Sequence, residues 1–342
     1  FEETDVDFAN FEKFDISGHK WEDLNGDGDW DEDETGYEGW TINIVGDLDG
    51  DGEFDDFSAS TTTNENGKYL FENLGPGVYR VSEDESDPDW VQTYDTSLAY
   101  YTVTGASGVD AAGDAGDTEA LNFGNVEYGS ISGTKFEDTN GDGDTEGDSG
   151  ILGWTIYLYN VDPDSPDAEP FKTTTTDEDG NYTFDDLLPG TYWVVEETRS
   201  GWVNTTPVEV GLGTLTSGFE ETDVDFANFE KFDISGTKYE DTNGNGAIDD
   251  GEAGLAGWTI YIDSNNNNQF DDGEKSAITD ATGYWEITGL DWTYDDAFVK
   301  EVLKNGWTQT VGPVSGIVGT SGNDGQVFDF ANFEDMVISG YK

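Results

Sequence analysis

Cysteine is absent from the 342 residues, so neither disulfides nor cysteine-ligated zinc can hold this chain together. Basic residues are scarce: 13 Lys and Arg stand against 77 Asp and Glu, a formal net charge of -64. That sign repels phosphate, which excludes nucleic acid and argues against an anionic membrane surface. No run of about 18 apolar residues occurs, so no membrane insertion is expected. The one histidine, His19, has Thr134 and Thr237 at its repeat positions and carries no recurring chemistry. There is no Ser–His–Asp set and no phosphate loop, and acidic pairs are too numerous to nominate a glycosidase pair. The chain is therefore not expected to be an enzyme. Sustained helical periodicity is missing as well.

What the chain does have is aromatic content of 14%, too rich for an acidic disordered tail, and repetition. "ISG" recurs at Ile16, Ile131, Ile234 and Ile338, with spacings of 115, 103 and 104 residues, and "GWTI" places Trp40, Trp154 and Trp258. Runs such as "GWTIYLY", "NYTFDDL" and "TYWVVEE" are short, alternating and bounded by Gly, Asp, Asn and Pro, which is the pattern of strands. The expected fold is all-β: three tandem Ig-like or prealbumin-like β-sandwiches over 13–129, 130–232 and 233–336. Residues 1–18 are identical to 219–236. Segment 1–12 thus reads as the closing strand of a preceding repeat, and 337–342 as the opening strand of a following one. Either the chain continues a longer array, or a terminal strand pairs head-to-tail with a neighbouring subunit.

Acidic loops lie between the strands. A twelve-residue calcium loop takes oxygen ligands at positions 1, 3, 5, 7, 9 and 12, with Gly at 6 and an apolar residue at 8. "DLNGDGDWDEDE" offers Asp23, Asn25, Asp27, Asp29, Asp31 and Glu34, with Gly28 and Trp30 in phase. "DTNGNGAIDDGE" offers Asp241, Asn243, Asn245, Ala247 (through its carbonyl), Asp249 and Glu252. "DTNGDGDTEGDS" supplies Asp138, Asn140, Asp142, Asp144 and Glu146 but ends on Ser149, where Asp148 is the substitute at hand. A second loop follows the GWTI strand. Repeat three gives Asp263, Asn265, Asn267, Gln269, Asp271 and Glu274; repeat one gives Asp47, Asp49, Asp51, Glu53 and Asp55, with Ser58 in the last slot. The prolines of "NVDPDSPDAEP" break the template in repeat two, so no site is expected there. Polar turns of an acidic protein are the plain alternative, but five loops in one phase favour Ca2+, with magnesium second because it demands tighter octahedral geometry.

Lysine recurs at one repeat position as Lys20, Lys135 and Lys238. Side chains alternate along a strand, so each lysine shares a face with the inward Ile of its "ISG". The same count turns Glu83, Glu196, Glu301 and Asn125, Asn228, Asn332 inward. A buried lysine tends to lose its proton. A neutral amine beside a carboxamide, with a protonated carboxyl to move protons, can form an amide crosslink. The three candidate sets are Lys20/Glu83/Asn125, Lys135/Glu196/Asn228 and Lys238/Glu301/Asn332. A buried ion pair, or an edge lysine that snorkels to water, is the other reading.

Taken together, "ISGTKFEDTNGDG", "GWTIYLY", "TTTTDEDGNYTFDDLLPGTYWVVEE" and "DFANFE" resemble the calcium-binding B repeats of Gram-positive serine–aspartate surface proteins. They are similar also to the wider collagen-adhesin B-type, prealbumin-like domains. The resemblance covers nearly the whole chain. It implies a cell-surface, extracellular β-sandwich stalk with calcium in the acidic loops and, in many members of the wider family, a Lys–Asn or Lys–Asp isopeptide bond assisted by an acid. Two departures stand out: the B repeats commonly carry an apolar residue where Lys135 stands, and repeat three has "WTYDDAF" for "PGTY". The expected function is a calcium-stiffened structural stalk or filament. The alternative is an adhesin that binds a glycan or a protein through exposed loops, for which the GWTI tryptophans are candidates unless they pack in the core.

Overall fold

A computed structural model describes residues 9–94, 99–113 and 121–341. Residues 1–8, most of the segment read as a preceding closing strand, lie outside the described residues. The described residues are all-β apart from one 3-10 turn, Trp292–Tyr294. They form six sheets, two to a repeat, and each pair encloses its own apolar core.

In the first repeat the opening strand Phe14–Glu22 lies between the antiparallel Lys68–Leu74 and the parallel closing strand Phe123–Glu127, with Trp90–Gln92 at the edge. The facing sheet runs Phe57–Thr62, Thr41–Asp47, Val78–Glu83, Tyr101–Thr104. Alternation does the sorting: Ile42, Ile44, Tyr79 and Val81 point in and are buried, while their neighbours face out. The same plan recurs with opening strands Gly129–Glu137 and Phe232–Glu240 and closing strands Phe226–Glu230 and Phe330–Glu334. First and last strands of every repeat are therefore hydrogen-bonded neighbours running the same way.

The glycine of "ISG" follows from that packing. An added Cβ at Gly18, Gly133 or Gly236 would stand 1.8, 2.0 or 2.1 Å from the carbonyl oxygen of Leu121, Val224 or Phe328. Those carbonyls belong to the chain entering the closing strand, so glycine lets the first and last strands approach.

The repeats join with almost no linker. A single residue, Tyr128 or Lys231, separates each closing strand from the next opening strand. The glutamates ending the first two closing strands are clasped by a Ser–Gly pair of the following repeat. Glu127 N donates to Ser217 Oγ (2.8 Å) and Gly218 N to Glu127 O (3.0 Å). Glu230 meets Ser321 and Gly322 in the same way, as Glu12 does Ser107 and Gly108. The departure in "WTYDDAF" belongs here: its 3-10 turn, capped by Asp291, sets Trp292 against Phe229 of the previous closing strand, ring centroids 5.3 Å apart. Val337 and Ile338 are exposed and outside any strand. The neighbours that pair with the other three "ISG" segments have no fourth counterpart among the described residues.

Gly236→Ala should lower the unfolding free energy by about 1–3 kcal/mol, the cost of overpacking against fixed backbone. Urea denaturation of the variant checks it; an unchanged midpoint would show that the strands can separate at no cost.

Candidate functional site

Two kinds of site repeat through the chain: the acidic loops and the inward lysines.

Each acidic loop is wound around its first aspartate. Asp23 accepts from Gly26 N (2.6 Å) and Gly28 N (2.8 Å); Asp47, Asp138 and Asp241 receive the matching pair of glycine amides. In the fifth loop Asn268 takes the glycine place, in the left-handed conformation (φ 61) that asparagine tolerates, and donates to Asp263. A ladder follows in all five loops. The amide of position 5 donates to the side chain at 3: Asp27 to Asn25, Asp51 to Asp49, Asp142 to Asn140, Asn245 to Asn243, Asn267 to Asn265. The amide of position 7 donates to the side chain at 5, from Asp29, Glu53, Asp144, Ala247 and Gln269. These turns hold the side chains at positions 3 and 5 against the loop's own backbone.

The loops differ in how they close. Where Glu stands at position 12, its Oε1 accepts the amide of position 2: Glu34 from Leu24, Glu252 from Thr242, Glu274 from Ser264. In these loops positions 3 and 9 also meet, Asn25 with Asp31, Asn243 with Asp249 and Asn265 with Asp271. In the two loops without that glutamate an aspartate performs the closure. Asp148 Oδ1 accepts from Thr139 N (3.1 Å), and Asp56 Oδ2 accepts from Leu48 N (2.8 Å) and Asp49 N (3.1 Å). Asp148 is the substitute named from the sequence. Asp56 escaped the template because it arrives two positions early, and it brings carboxylate oxygens of Asp47, Asp49 and Asp56 within 4.8 Å of one another. Asp55 and Glu146, assigned to position 9, make no contact with position 3 among the described residues. In repeat two, segment 160–170 turns differently, with Asp164 N on Asp162 Oδ1.

The first aspartates are buried: Asp23, Asp138 and Asp241 at 0%, Asp263 at 1% and Asp47 at 6% exposure. No described ion pair involves a loop carboxylate. Burial pushes the Glu34 carboxyl above its ordinary range, against hydrogen bonds from Asp31 and Leu24 that pull it down. Hard carboxylate oxygens grouped without an ion-pair partner, as at Asp47, Asp49 and Asp56, suit a divalent cation.

The first loops of repeats one and two also touch the next repeat. Leu24, whose amide is held by Glu34, passes its carbonyl to Ser217 N (2.9 Å). Thr139, held by Asp148, passes its carbonyl to Ser321 N (3.0 Å). These donors belong to the same Ser–Gly turns that clasp the closing strands. Sequence reasoning missed them, because "TSG" has no distinctive chemistry until the fold sets it against a loop more than 180 residues away.

The lysines lie inside, as alternation required. Lys20, Lys135 and Lys238 are all 0% exposed. In each set Lys and Asn come from adjacent strands of one sheet and Glu from the facing sheet. In repeat three the set is closed: Lys238 Nζ bonds Asn332 Oδ1, lies 2.7 Å from Glu301 Oε2, and Asn332 Nδ2 donates to Glu301 Oε1 (2.8 Å). In repeat two Lys135 is 3.3 Å from Glu196, and Asn204 bridges Glu196 (2.5 Å) and Asn228 (3.2 Å). In repeat one Lys20 is 3.6 Å from Glu83. The GWTI tryptophans cover the amines, with each Nζ at 4.5, 4.9 or 4.7 Å from the ring centre of Trp40, Trp154 or Trp258. Burial lowers all three lysines to about 8 against the pull of their glutamates; it raises Glu83 and Glu196, which the lysines pull back down.

These lysines release protons more readily folded than unfolded, where the ordinary value is 10.5. While the amines are free, the unfolded chain binds more protons between pH 8 and 10.5, so their contribution to stability rises with pH across that window. Urea titrations should show a shallower rise in Lys238→Met than in wild type. Equal slopes would mean that Lys238 does not titrate.

The SdrD B-like domain model matches residues 15–121 and 129–230. Serine-aspartate repeat-containing protein D of Staphylococcus aureus (strain Newman) is 30% identical over 342 residues, covering 91% of this chain and 23% of that protein. Serine-aspartate repeat-containing protein F of Staphylococcus epidermidis is 27% identical over 321 residues, covering 84% and 17%. The chain thus spans less than a quarter of the length of these relatives. Among solved structures, the Bacillus anthracis TIE protein aligns with 95% of this chain and 51% of its own, at 16% identity and a TM-score of 0.36.

Proposed function

This chain belongs to the SdrD B-like domain family, and from that premise we propose that it is a segment of an extracellular, cell-surface stalk whose repeats are locked in line by calcium. The observation that carries the proposal is the position of the first loops. A cation drawn by Glu34 or Asp148 fixes residue 2 of the loop, and that residue's carbonyl holds the next repeat. Metal binding and junction rigidity are then one event. Calcium supplies the positive charge that lets the converging carboxylates coexist. Asp23, Asn25, Asp27, Asp31 and Glu34 would hold it in the first loop, and Asp47, Asp49 and Asp56 would form part of a second site. No turnover reaction is assigned.

The inward lysines add a second device. In repeat three the neutral Lys238 amine bonds to Asn332 Cγ, the bond from Cγ to Nδ2 breaks, and ammonia leaves. Glu301 carries the proton from Nζ to the departing nitrogen. The contact between Lys238 and Asn332 makes this repeat the first expected to crosslink, ahead of repeats one and two, where the lysine also stands further from its glutamate. The adhesin reading would use other surfaces. The GWTI tryptophans of repeats two and three, at 0% and 2% exposure, are core residues and offer it nothing.

Chelation should lower the melting temperature and loosen the junctions, seen by calorimetry and by small-angle scattering of the 342-residue chain. Returned calcium should reverse both, and stripped protein of unchanged melting and shape would end the calcium proposal. Asp56→Asn should abolish one binding event in a calcium titration and leave the first loops intact. Intact mass should fall by about 17 Da for each amide bond, one ammonia. Lys238→Met or Asn332→Ala should abolish the bond in repeat three and with it that repeat's mass loss, and a wild-type chain of full mass would refute crosslinking.

A further inference from the structure

The three GWTI tryptophans are equivalent in sequence but not in what covers them. Trp154 and Trp258 each carry two cations: the buried lysine already described, and a solvent-side one. Arg199 lies 4.1 Å from the Trp154 ring centre, and Lys304 lies 4.7 Å from that of Trp258. Both belong to the connection after the glutamate strand, three residues before a second tryptophan. The backbone marks the position: Trp202 N donates to Arg199 O and Trp307 N to Lys304 O. In repeat one the same bond runs from Trp90 N to Asp87 O. The residue that should cap Trp40 is an acid.

The consequences are visible around Trp40. It is half-buried, whereas its counterparts are covered. Beside it opens a pocket of about 370 Å³ lined by Trp40, Trp90, Glu85, Asp87, Gln92 and Asn125. The two indoles meet edge to face at 5.4 Å, and Tyr37 packs against both. Asn125 is 2% exposed, and its Oδ1 has no hydrogen-bond partner; the Trp40 Nε1 has none either. No described ion pair uses Glu85 or Asp87. Aromatic faces, two carboxylates and an unused buried acceptor are the chemistry that holds an organic cation.

We propose that this pocket is a binding site for a guanidinium or alkylammonium group, the Arg or Lys side chain of a partner polypeptide, which takes the place that Arg199 and Lys304 fill from within the chain. The site is confined to repeat one, does not depend on the calcium or crosslink proposals, and gives the chain a point of attachment with its own specificity. The net charge of -64 brings basic partners to the surface; the pocket selects among them by geometry.

Indole N–H resonances of the intact 342-residue chain, titrated with Nα-acetyl-arginine amide and Nα-acetyl-lysine amide at constant ionic strength, test this. The Trp40 and Trp90 signals should shift saturably, while those of Trp154, Trp202, Trp258 and Trp307 stay still. Asp87→Arg supplies a resident cation and should weaken binding by about tenfold or more. Arg199→Asp, which uncovers Trp154, should transfer a response to repeat two. No shift at Trp40, equal shifts at all six indoles, or full binding by Asp87→Arg would each overturn the proposal, the second by showing only diffuse attraction to an acidic chain.

Discussion

Carboxylates that converge repel one another unless something positive stands between them, and this chain has almost nothing positive to spend on the task. Its three fully buried lysines are committed to the sandwich interiors, each facing a glutamate across the two sheets. The loop carboxylates have no ion-pair partner among the described residues, yet the first aspartates are as buried as core leucines. Backbone amides satisfy these groups as hydrogen-bond acceptors but do not cancel their charge. On the calcium proposal the loops would depend on an outside cation, and so would the junctions they support. Five dications would offset only about 10 of the 64 net charges, so the surface would stay strongly acidic even with every loop filled.

The interior lysines obey the same constraint in reverse. A buried amine is stable only beside an acid, and removing one partner of such a pair costs about 3–5 kcal/mol because the other is left unmatched. Each repeat meets this demand with the same four side chains: lysine, glutamate, asparagine and a tryptophan laid against the amine. Differences among the repeats are differences of closeness. Repeat three brings amine and carboxamide into contact, repeat two interposes Asn204, and repeat one leaves its set open toward a pocket. One architecture thus spans a range from a set in mutual contact to a buried set that borders a pocket.

Much of this was legible in the sequence. Period-two alternation placed Lys135, Glu196 and Asn228 on inward faces without any structure, because a strand has only two faces. The loop phase located first aspartates and closing glutamates, because ligand spacing within one turn is local. What could not be read depends on distance or on loop length. Asp56 closes its loop early, so a twelve-residue template looks past it to Ser58. The Ser–Gly clasps join residues about 90 apart and use unremarked side chains. The role of Arg199 at Trp154, and its loss at Asp87, surfaces only when three folded repeats are laid over one another, since repeat one carries an extra residue in that connection and a linear comparison slips by one.

The parallel pairing of first and last strands has a mechanical meaning. Tension along the chain enters a repeat through its opening strand and leaves through the adjacent closing strand. Pulling the ends apart slides these two strands past each other, so their bridging hydrogen bonds bear load together instead of unzipping one at a time. Lysine and asparagine sit on that same pair, so a covalent link between them would carry the force straight across and leave the rest of the sandwich slack. On the calcium and crosslink proposals, a tether built this way would give at its joints before it gave in its bodies, and its extensibility would be set by how much calcium surrounds it.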